Sequence, residues 1–195
     1  MCREKKSTPI LGMPNHSPCT PLAKPASHRQ VLAHYIKCQR PRLAAELAWF
    51  TQPQPIGAAV ARAAAAEGSN GKRLSHQRRL LKTVIPAAST KLQRAATTFQ
   101  GARTFDELFN TIREAIGFIP GVGPLYIYDT TLRLGAFLGI QPAEVYLHAG
   151  VREGAKHILG NFSASMVPLS QFPSVFHVLS PYEMEDLLCC YREYL

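Results

Sequence analysis

Two helical patterns joined by a seven-residue link constrain this chain more than any other feature of it. The first begins at Thr104, with Glu107 three residues on as a capping box, and sets Phe105, Leu108, Phe109, Ile112 and Ile116 on one face before Gly117. The second opens on Pro124, whose fixed φ suits a first helical turn, and spaces Ile127, Thr131, Leu134 and Leu138 along a stripe that stops at Gly139. Between them runs Phe118-Ile119-Pro120-Gly121-Val122-Gly123-Pro124. A link that short makes the helices neighbours of antiparallel tendency, and its glycines permit a turn that side chains would obstruct. The valine anchors the turn between the helices. Backbone N–H groups at the start of the second helix are then open to an anion, and a phosphate is the natural guest.

The same punctuation continues on either side. Ser27 caps a stripe of Val31, Leu32, Tyr35 and Ile36 ended by Pro41, and Leu43, Leu47 and Phe50 mark a second helix before Pro53. Pro55 opens an alanine-rich stretch to Glu67, stopped by Gly68-Ser69-Asn70-Gly71, and a short basic helix over 76–85 is separated by Pro86 from another over 87–99. Downstream, Pro142 starts a helix through Leu159, and Ser180-Pro181-Tyr182-Glu183 starts a last one carrying Met184, Leu187, Leu188 and Tyr191. Nothing alternates as a strand. The pattern predicts an all-α fold of roughly eight helices in one compact domain, without internal repeats. Residues 1–26, with Pro9, Pro14, Pro18, Pro21 and Pro25, read as a disordered basic leader; 27–103 is a basic helical region and 104–195 the hairpin-containing region, the two sharing one core.

Composition then narrows the function. With 46% hydrophobic and 18% charged residues among 195, the chain buries a core, yet no apolar run reaches the ~18–20 residues of a membrane span. Met1–Lys6 leads into Ser-Thr-Pro rather than an apolar signal core, and the prolines that follow forbid the amphipathic helix of a transit peptide. Five cysteines, an odd number without a C-x-x-C pair, predict neither a disulfide framework nor a zinc site. Reduced thiols and a cytoplasmic location follow, nucleoid-associated if the source is bacterial. The net charge of +9 is unevenly placed: residues 1–104 hold 17 of the 22 Lys and Arg against three acids, and 105–195 hold five against ten. A half so basic suits a polyanion.

Ile119 through Pro124 resembles the helix-hairpin-helix motif, apolar-Pro-Gly-apolar-Gly-Pro between two helices, position for position over about residues 105–138. The resemblance implies a hairpin that holds the backbone of duplex DNA through main-chain amides without reading sequence. Gly121, Val122 and Gly123 would be the contact, with Pro124 opening the second helix. Helix-hairpin-helix base-excision DNA glycosylases are a more distant resemblance, because they place a catalytic Asp downstream in Val-Asp-Thr-His-Val. Here Val145-Tyr146-Leu147-His148 keeps the His, but Tyr146 stands where the Asp belongs and Leu125 where bifunctional members keep a Lys. Glycosylase chemistry therefore lacks its carboxylate and amine. Asp129, with His148 as partner, is the remaining catalytic candidate, against an ordinary role for Asp129 as a helix ion pair with Arg133 four residues on.

A second stretch strengthens the binding reading. Gly71 to Lys82 carries Lys72, Arg73, Arg78, Arg79 and Lys82 beside His76, a basic face able to neutralise several phosphates or simply to be solvated. His148 and His157 are nine residues apart, not four, so no metal pair is expected; no phosphate loop, dinucleotide fingerprint or nucleophile elbow is present, and no cofactor is expected. Cys189 and Cys190 read as small packing groups, and Trp49 as core or interface. The sequence thus predicts a sequence-tolerant DNA-binding protein, duplex before single strand. Its rivals are a base-excision-like DNA repair enzyme with a non-standard site and a helical adaptor for a protein partner.

Overall fold

The structure is a computed structural model that describes residues 19–74, 77, 80 and 83–195. Among these, nine α-helices and one two-stranded ladder make up the regular structure, so the all-α expectation holds. No described helix is long and apolar enough to cross a membrane. The chain divides into two units, 43–144 and a second formed by residues up to 42 together with 145–195. The division is therefore not at residue 104. Helix α2 (Arg40–Phe50) carries the chain from one unit to the other.

Unit 43–144 is built from α3 (Ile56–Ala65), α4 (Val84–Arg94), the single turn α5 (Ala96–Phe99), α6 (Phe105–Ile116) and α7 (Pro124–Leu138). Helix α6 begins at the expected box: Thr104 accepts from the Glu107 N–H while Glu107 accepts from the Thr104 N–H. Its Leu108, Ile112 and Ile116 are buried against Ala59, Ala63, Ile85, Leu92 and Tyr126. The alanines of α3 let neighbouring backbones approach closely, and the Tyr126 hydroxyl donates to the Ala64 carbonyl at 2.7 Å. That carbonyl lies in the last turn of α3, where no helical N–H remains to meet it. Pro86 does not separate two helices, as the pattern suggested. It sits in the first turn of α4, whose N–H groups lack helical acceptors in any case.

Burial pushes the Tyr126 phenol up to about 12, against some lowering by the Arg133 cation. An ionisation held above its unfolded value of 10.0 contributes stability that is complete below about pH 10 and lost as pH rises through about 12. About 2–3 kcal/mol should go in that window. Urea midpoints measured across it should fall less steeply for Tyr126→Phe than for wild type; parallel curves would contradict the assignment.

The other unit gathers α1 (His28–Cys38), α8 (Ala149–Leu159), α9 (Pro181–Tyr191), strands β1 (Val145–Tyr146) and β2 (Met166–Val167), and short 3-10 turns at Leu169–Gln171, Ser174–Phe176 and Arg192–Tyr194. The expected capping box at Ser180 forms with Glu183, and Ser27, expected only as a cap, closes a full box with Gln30. The helix expected from Pro142 starts only at Ala149. Val145 and Tyr146 pair antiparallel with Val167 and Met166 instead, so partners twenty residues away take the backbone groups a helix would have used. The core joins Val31 and Tyr35 of α1 to Val151 and Ala155 of α8 and to Met184, Leu187 and Leu188 of α9.

Two cysteine and leader expectations are corrected in this unit. Cys19 and Cys38 form a disulfide, a pairing that no short-range spacing signals, whereas Cys189 and Cys190 remain thiols. The last eight residues assigned to the leader are also tied down: Leu22 and Ala26 pack on the core, Lys24 pairs with Glu193 at 3.1 Å, and the Thr20 carbonyl meets His34 Nε2 at 2.8 Å. The remainder, 1–18, lies outside the described residues.

Candidate nucleic-acid interface

The hairpin forms as a tight turn between α6 and α7. Ile119 N–H donates to the Ile116 carbonyl, Val122 N–H to that of Ile119, and both Tyr126 and Ile127 N–H to that of Gly123. Ile119 and Val122 pack on the core of their unit and so fix the turn. Among the described residues, the N–H groups of Gly121, Gly123 and Leu125 have no backbone acceptor. The open amides are therefore not the three expected. Val122 spends its N–H inside the turn and acts as an anchor, Pro124 has none, and Leu125 takes a place that its position one residue after the helix-opening proline could have signalled.

The two glycines serve different ends. Gly121 has φ +91°, and a Cβ there would meet Val84 Cγ2 at 2.9 Å, so the fold itself requires glycine. Gly123, at φ −108° and ψ 170°, is in ordinary extended backbone as the N-cap of α7, and a Cβ there would meet nothing within 4 Å. Nothing in the fold demands glycine at 123.

The close approach of Gly121 to Val84 places the hairpin beside the first residue of α4. Of the basic stretch 72–82, Lys72 is exposed, and Arg73 donates through Nη1 to the Leu80 carbonyl at 3.2 Å, so part of its guanidinium serves the fold. The Gly68–Gly71 turn presents both, with Glu67 and Arg73 bridged across it. Arg78, Arg79 and Lys82 lie outside the described residues. Lys91, one helical face along from Val84 on α4, adds an exposed cation that the sequence reading passed over.

The catalytic candidates are each engaged within their own unit. Asp129 Oδ2 accepts from Arg133 Nη2 at 3.1 Å and from Gln77 Nε2, which makes it the ion pair its spacing suggested. Arg133 is 3% exposed, far deeper than a surface pair, and its guanidinium also faces the Phe50 ring. His148 caps α8 in the other unit, its Nε2 2.6 Å from Glu185 Oε1. Glu185 belongs to a buried trio on α9: Glu183 accepts from Arg40 Nε at 2.7 Å and from the Ser180 N–H, and Asp186 accepts from Gln39 and Cys190. Among the described residues no three His, Cys, Asp or Glu side chains are grouped to hold a metal ion. No family model, curated protein or solved structure matches the chain.

Proposed function

We propose that the protein binds DNA in a sequence-tolerant way, with the backbone of the 119–124 hairpin on a phosphate and the basic stretch 72–82 on neighbouring ones. The observation that carries this reading is Gly123. A glycine that neither its dihedral angles nor its neighbours require, at the mouth of a turn with open amides, is what close approach of a ligand to the backbone would demand. Lys72, Arg73, Arg78, Arg79 and Lys82 would add salt-dependent affinity without reading bases.

The test separates folding from binding. Serine is as good an N-cap as glycine or better, so Gly123→Ser should leave stability within about 0.5 kcal/mol of wild type. Its side chain would nevertheless stand over the amides, and loss of charge-assisted hydrogen bonds to a phosphate should weaken duplex binding about tenfold or more. In the companion variant, Arg78, Arg79 and Lys82 all changed to Ala, the slope of log K against log salt should become shallower by about 2–3. A Gly123→Ser protein that is folded and binds duplex as wild type does at every salt concentration removes the hairpin from the interface.

A further inference from the structure

Phe118 is 67% exposed, more than any other large apolar side chain among the described residues. It directly precedes Ile119, which is packed on the core, and stands three residues before Gly121, so its backbone is held by the same turn that presents the amides. Lys91 Nζ lies 5.7 Å from the ring centroid. A cation over one face of an otherwise exposed ring thus stands within a few residues of the turn's open amides. Water is a poor neighbour for that ring, and burying a phenylalanine is favourable.

We propose that Phe118 stacks on a base whose face is uncovered at a junction between duplex and single strand, while the hairpin holds an adjacent phosphate. This rests on the DNA-binding reading above and names the form of DNA that the same site prefers. The argument is one of reach. Phe118 and Gly121 are three residues apart, which limits their Cα separation to about 10–11 Å. Within that distance of a phosphate on an uninterrupted duplex, base faces are hidden by their stacked neighbours, and a side chain on the backbone meets only sugar and groove edge. At a junction the last paired base, or the first unpaired one, opens its face. Stacking on an aromatic side chain is tolerant of base identity, in keeping with a hairpin that reads no sequence. Lys91 beside the ring suits the phosphodiester of the single-stranded arm.

The experiment compares binding to a dumbbell duplex closed at both ends by a stacked non-nucleotide cap, which leaves no strand end, no unpaired base and no uncovered base face, with binding to the same duplex carrying a single-stranded overhang. Wild type should prefer the overhang DNA about tenfold. Phe118→Ala should bring overhang affinity down to the dumbbell level while leaving dumbbell affinity unchanged, and Phe118→Trp should restore the preference. Gly123→Ser should weaken both, because the phosphate grip is common to them. The proposal is overturned if wild type does not distinguish the two DNAs, if Phe118→Ala lowers both equally, or if it changes neither, as a ring that serves a protein partner would do. Wild type that binds neither DNA overturns the DNA-binding reading itself, and this proposal with it.

Discussion

Asp129→Ala should lower stability by about 3–5 kcal/mol, the cost of leaving a buried cation without its partner. Arg133 is 3% exposed and Asp129 15%, with 3.1 Å between Nη2 and Oδ2. Arg133 Nη1 is buried and has no hydrogen-bond partner among the described residues even with the carboxylate in place. The Phe50 ring 5.8 Å away offers weak compensation. Removing the charge as well should cancel most of the loss, so the double variant Asp129→Ala/Arg133→Met should be markedly more stable than Asp129→Ala alone. Urea midpoints of the two single variants and the double provide the comparison. An Asp129→Ala protein as stable as wild type or more so would contradict a structural ion pair. That is the behaviour of a carboxylate kept for chemistry at the expense of the fold, and it would revive the repair-enzyme reading.

Gly154→Val should be comparably damaging, through packing rather than charge. Gly154 lies within α8, where an exposed glycine would be expected to gain up to about 1 kcal/mol on replacement by alanine. Here a Cβ would run into the Leu188 carbonyl oxygen and stand 3.0 Å from its carbon, so the backbone of α9 would have to move away from α8. Overpacking of this kind usually costs about 1–3 kcal/mol, and valine should lie at or above the top of that range because the obstacle is backbone. The same displacement would disturb the carboxylates at 183, 185 and 186 on α9. Gly57 is the control: it is also helical, and a Cβ there meets nothing within 4 Å, so Gly57→Ala should be neutral or slightly stabilising. Thermal melts in which Gly154→Val and Gly57→Ala shift alike would refute the close α8–α9 contact.

These two sites also show how far the sequence could be read. The i,i+4 spacing of Asp129 and Arg133 announces an ion pair, but nothing local reveals that it is buried or that Gln77 joins it. Gly154 reads as a slightly unfavourable helix residue until α9 is in place. The hairpin is legible as a turn with open amides, because Pro120 and Pro124 restrict their own backbone and Gly121 permits the turn between them. Which amides stay open, and that only Gly121 is indispensable to the fold, depend on the Ile119 carbonyl and on Val84.

By itself the sequence determined what short-range physics can determine. Ser27, Thr104 and Ser180 start helices because each capping box is closed within four residues, and Pro55 and Pro124 mark starts because a proline constrains its own φ. Proline alone is ambiguous, since a first helical turn accepts it as readily as a break does, so in the sequence Pro86 reads as a separator and Pro142 as a beginning. Tertiary structure decided the rest. The Val145–Tyr146 strand needs Met166–Val167, the Cys19–Cys38 bond needs the segment before α1 folded back onto it, and α1 shares a core with α9 rather than with the helices that follow it in the chain. Each is a contact whose partner lies many residues away, where loop closure is offset only by the burial and hydrogen bonding of the completed fold.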